Sequence, residues 1–298
     1  MLEAPKRRGS YNIIDNFTYY VPGWADILVL LVLLLVGTVL GSLLALPFSM
    51  IMGEDGIEYS MLVSYPMMFI PPMIYASVKS RSNSYLHNGV RLDSGHFSPV
   101  GALSCALMAM ALTLAGGYVV DLPTSLLPAM PEWLEKALGS MTQGKFLLNF
   151  ICVSLFAPFF EEWLCRGMVL RGLLHRGVRP VWAIVFSAAF FAFIHMNPWQ
   201  AIPAFAMGCA MGYVYYKTGS LKLTMLMHFT NNTLALALGN VEGLSAMDSY
   251  RQLFPAAIYW ALFAACIAVI VLAVIKFAGV ELQDKAGNSD KVASLFSE

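Results

Sequence analysis

Eight apolar runs divide this chain, at about residues 27–50, 60–78, 99–120, 147–174, 181–195, 201–216, 223–238 and 255–277. A helix needs roughly 20 predominantly apolar residues to cross the hydrocarbon core of a bilayer. Inside lipid every backbone N–H and C=O must find its partner within the protein, and long runs without strict alternation meet that demand as helices. The expected fold is all-α: a polytopic membrane helix bundle of about eight transmembrane helices, forming a single membrane domain over residues 1–298. The first run is too long for a signal-peptide core and reads as a retained span. Pro66, Pro71 and Pro72 predict a kinked second span supported by its neighbours.

The connections are polar. Glu54, Asp55 and Glu58 form an acidic loop, and residues 79–98 an irregular one in which His87 and His96 read as solvated bystanders. Residues 131–138 read as a short amphipathic helix at the interface, and residues 1–24 and 279–298 as polar cytoplasmic tails. With the N-terminus inside, eight traverses bring the C-terminus back to the cytoplasmic face. Only Lys136, Lys145 and Arg251 of the eighteen Lys and Arg then lie in outside loops, as the positive-inside rule requires. Formal net charge is zero and no Lys/Arg cluster is interleaved with aromatics, so nucleic acid is not an expected partner. The expected partners are the lipid bilayer and a membrane-associated protein or peptide substrate; nothing in the residues sets the oligomeric state. The five cysteines all fall in apolar runs without CxxC spacing and read as packing residues, Cys165 included.

Against this background the stretch from Phe159 to Arg166 is anomalous. A charged side chain at the centre of a span costs roughly 2.5 to 3.5 kcal/mol on insertion scales, so an intramembrane charge carries a functional hypothesis. Well inside the expected spans lie Glu161, Glu162, Arg166, His195 and His228, with Asn232 as a further polar side chain. A structural ion-pair network accounts well for Glu162 and Arg166, at i and i+4 on one helix face, and poorly for the whole set. Glu161, rotated by about 100° from Glu162, is left free for acid/base chemistry. Phe191 and His195 share a face in the same way, as do His228 and Asn232. A turn near Gly177 to Pro180 makes the fourth and fifth spans a hairpin, which puts Glu161 and His195 at similar height and lets all these residues converge near the cytoplasmic side. A proton relay in a transporter also fits the buried charges.

The motifs EExxxR at Glu161-Glu162-Arg166, FxxxH at Phe191-His195 and HxxxN at His228-Asn232, in that order on successive hydrophobic segments, resemble the CAAX protease and bacteriocin-processing (CPBP) family of intramembrane proteases. The resemblance covers about residues 147–238, within an expected catalytic core at 145–240. It implies a peptide-bond hydrolase: Glu161 as general base on water, His195 assisting, His228 and Asn232 stabilising the oxyanion, and Glu162 with Arg166 as orienting support. Phe191 reads as packing. The expected mechanism uses no cofactor; the alternative is zinc held by Glu161, His195 and His228, although HExxH is lacking. The family also allows a non-enzymatic role in bacteriocin self-immunity or sensor modulation. The compact chain without an ER-retention tail points to a bacterial plasma membrane.

Overall fold

The computed structural model describes residues 13–85, 89–143, 145–243 and 249–282, and these form helices and connecting turns with no strand among them. Among the described residues, besides two short 3-10 helices, nine longer helices follow in order: α1 Trp24–Met52, α2 Glu54–Asn83, α3 Ala102–Thr124, α4 Glu132–Gln143, α5 Phe146–His175, α6 Pro180–Phe193, α7 Pro198–Thr218, α8 Leu221–Gly239 and α9 Ala256–Ala278. Each of the eight apolar runs holds one of them, and α4 lies where the interfacial helix was expected. By length and hydropathy, five qualify as membrane spans: α1, α2 from Glu58, α3, α5 and α9. The other three fall short for physical reasons. α6 is apolar but has only 14 residues. α7 carries Gln200 and Lys217, and α8 carries Lys222, His228, Asn231 and Asn232, which lower their hydropathy.

Several connections differ from expectation. The acidic loop shrinks to Gly53, whose φ of 62° permits the sharp reversal, and helix resumes at Glu54. α2 then runs through all three of its prolines to Asn83. His96 is half-buried rather than solvated, with its backbone N–H donating to Thr218 O at 2.7 Å. His87, and residues 1–12 and 283–298 of the tails, lie outside the described residues.

Close helix approach depends on small residues. A Cβ on Gly37 would lie 2.3 Å from the Met68 carbonyl oxygen, and one on Gly41 would lie 2.6 Å from that of Ser64. This GxxxG face therefore seats α1 directly on the α2 backbone, the small-residue packing common in membranes. Gly208 and Gly212 do the same for α7 against Ala188 and Ile184 of α6.

Hydrogen bonds gather the connections at the two ends of the bundle. At one end Val90 N–H donates to Thr18 O, Ser94 N–H to Gly219 O, Arg176 to Val21 O and Lys217 to Ala278 O. Asp93 accepts from Leu221 N–H at 2.9 Å and pairs with Lys222 at 3.0 Å, fixing the start of α8. At the other end Lys145 N–H donates to Glu58, Ser249 to Asp121 and Trp199 to Pro128 O.

Candidate active site

α5 carries the acidic cluster, and it is not a uniform α-helix. Two π-helical stretches, Phe150–Phe156 and Trp163–Leu170, flank one short α-helical piece, Ala157–Glu162. π turns are rare and concentrate at functional sites. Side chains of neighbouring helices donate to carbonyls in these stretches: Asn232 Nδ2 of α8 to Val153 O at 2.8 Å, and Ser187 Oγ of α6 to Cys165 O at 2.8 Å. The 100° per residue assumed from sequence therefore holds only locally; the two glutamates nonetheless differ in partners and exposure.

Glu162 and Arg166 are fully buried and joined at 2.7 Å. Arg166 also donates to Gly208 O at 3.0 Å, an approach that a side chain at Gly208 would obstruct. Its guanidinium lies 4.7 Å from the Phe191 ring centroid, a cation–π contact. Glu162 Oε1 also meets His228 Nδ1 at 3.1 Å. Glu161 retains 14% side-chain exposure, which leaves it reachable where Glu162 is sealed. Its Oε2 lies 3.8 Å from His228 Nε2, and its Oε1 accepts a hydrogen bond from the Tyr65 hydroxyl of α2. His228 thus stands between the two carboxylates.

The turn before α6 forms where sequence placed it, with Gly177 at φ 76° and Pro180 opening the helix. At the other end of α6, Met196 adopts φ 58°, a left-handed conformation uncommon for such a side chain. Asn197 donates to His195 O at 2.8 Å and caps α7 by accepting from Gln200 N–H. His195 Nδ1 is 2.8 Å from Phe191 O, so Nδ1–H donates there and Nε2 is the nitrogen left for other contacts. His195 joins the cluster through the Phe191 ring, whose centroid is 5.0 Å from its own and 5.5 Å from that of His228. Asn232 sits one turn beyond His228; its Oδ1 accepts from Asn231, and one of its two amide protons remains beyond that given to Val153. Among the described residues no group of three or more His, Cys, Asp or Glu side chains is arranged to hold a metal ion. Cys165 is buried and packs as expected.

Two polar contributors were not foreseen. Tyr65 comes from a proline-rich span with no motif around it. Arg171, at the start of the basic stretch Arg171 to Arg179, is fully buried and bonds the backbone carbonyls of Gly167, Val90 and Tyr20, tying two distant segments to the end of α5.

Residues 143–234 match a family model described as Rce1-like, type II CAAX prenyl endopeptidase. This segment is similar to the Rce1-like CAAX protease family. The Rce1-like segment contains all three motifs, from Glu161 to Asn232, whereas α1, α2, α3 and α9 lie outside it. Comparison with curated proteins and with solved structures gives no match. The matched segment and the apolar helices together make this a multi-pass membrane protein.

Proposed function

We propose that this chain is an intramembrane endopeptidase that hydrolyses a peptide bond of a membrane-associated protein or peptide, with Glu161 as general base. The observation that carries the reading is the pair of glutamates with one histidine between them: Glu162, bound by Arg166, also holds His228, while Glu161 keeps its exposure. Glu161 takes a proton from water, and the hydroxide adds to the substrate carbonyl carbon. With Nδ1–H given to Glu162, His228 donates through Nε2 only in its doubly protonated form, and Nε2–H with the remaining Asn232 amide proton stabilises the oxyanion. Such preorganised donors contribute on the order of 3 kcal/mol each. As the intermediate collapses the C–N bond breaks, and Glu161 returns its proton to the leaving amine. His195, with a basic Nε2, accepts a hydrogen bond on the approach to the site.

In this reading the eight helices α1 to α3 and α5 to α9 all traverse the bilayer, with both termini cytoplasmic. The positive-inside pattern and the gathering of the corresponding connections at common ends of the bundle support it. A bacterial plasma membrane is the proposed location. The proposed mechanism needs no metal; activity should survive 1,10-phenanthroline, and loss restored by zinc would replace this version. The main test compares membrane proteomes of cells carrying the native protein or Glu161→Ala. A fragment that disappears with the variant is expected. Identical proteomes with an intact phenotype would favour the immunity or sensor role instead.

A further inference from the structure

We infer that Tyr65 is a positioning residue for Glu161, so that the site is completed by the α1–α2 pair from outside the family-matched segment; this rests on the proposed role of Glu161. The Tyr65 hydroxyl donates to Glu161 Oε1, which fixes that oxygen and leaves Oε2 on the side of His228. The carboxylate otherwise has free rotation about its last bonds, and a fixed orientation of the base is what a proton transfer from water requires.

The surroundings of Tyr65 make it a rigid donor. One turn on, buried Phe69 stacks on Phe160 at 5.1 Å with an interplanar angle of 16°, and Phe160 is the residue before Glu161. Tyr65 itself lies 5.8 Å from Phe69, so three rings link α2 to the α-helical piece of α5. From the other side, Gly41 and Gly37 of α1 seat against the carbonyls of Ser64 and Met68, the residues that bracket this turn. The GxxxG face therefore sets where the Tyr65 hydroxyl stands.

The test uses the full chain in native membranes, reading the rate at which the Glu161-dependent fragment appears. Tyr65→Phe keeps the ring and its stacking, so its unfolding temperature in detergent should match the native protein's. Its maximal rate should fall about 10- to 100-fold with little change in half-saturating substrate level. In a Glu161→Gln background the same change should have no further effect. If Glu161→Ala leaves the fragment unchanged, both the functional reading and this inference fall. If Glu161→Ala abolishes it while Tyr65→Phe cleaves within twofold of native, the inference alone falls. Should Tyr65→Phe prove unstable, Phe69→Leu disturbs the same packing while keeping the hydroxyl. A rate loss in Tyr65→Phe no greater than in Phe69→Leu would overturn the positioning role.

Discussion

The α1–α2 pair and the α5–α6–α8 core solve the problem of packing in lipid in opposite ways. α1 and α2 meet by shape: two glycines admit the backbone of the neighbour, and most of the remaining α1 surface is apolar and exposed to lipid. The core meets by polar bonds: the Glu162–Arg166 pair, His228 on Glu162, Ser187 and Asn232 on the carbonyls of π turns, and Arg166 on Gly208 O. Shape packing tolerates lipid on the outside and needs no charge. Polar packing is costly unless partners are present, and it holds a carboxylate in a defined place. Tyr65 is where the two regions touch, since the helix set by shape delivers a hydroxyl to the polar site.

The contrast can be broken most severely at Arg166. Arg166→Met leaves Glu162 buried without its arginine, and removing one partner of such a pair destabilises by about 3–5 kcal/mol. Thermal unfolding in detergent should show it, and Glu162→Gln added to Arg166→Met should recover part of the loss. A native-like unfolding temperature in the single variant would mean that the core does not depend on its charges. Next in size is Gly41→Leu, which forces apart the shape-packed pair at about 1–3 kcal/mol. Its sharper signature is that cleavage should fall while the α5–α6 contact, read by disulfide cross-linking of Ser187→Cys to the native Cys165, persists. Ser187→Ala is the mildest: it removes one hydrogen bond to the Cys165 carbonyl, at about 1 kcal/mol. A larger effect there would mean that the π turn itself depends on that donor.

What the sequence made legible follows the same division. Helix positions were readable because lipid permits little besides continuous apolar runs, and Gly177 with Pro180 marked the hairpin turn directly. The core motifs were readable because an ionisable residue in such a run is conspicuous, so Glu161, Glu162, Arg166, His195 and His228 stood out before their contacts were known. The π turns were not readable, since no residue type signals them and their donors, Ser187 and Asn232, come from other helices. Tyr65 was hidden because a tyrosine in an apolar run reads equally well as an interfacial aromatic. Arg171 was hidden for the opposite reason: it sits among surface basic residues, and only the fold shows that backbone carbonyls surround it.

The central claim is that Glu161 activates water to cut a peptide bond. The most direct measurement places the purified native protein and Glu161→Gln in proteoliposomes, in water enriched in oxygen-18, with the membrane substrate identified from the proteome comparison. The account predicts one oxygen-18 atom in the new carboxylate of the product. It also predicts a rate lower by roughly 10²- to 10⁴-fold in Glu161→Gln, the span of a lost general base, at an unchanged unfolding temperature. Cleavage at equal rates by the two proteins, or no label in the product, would contradict it.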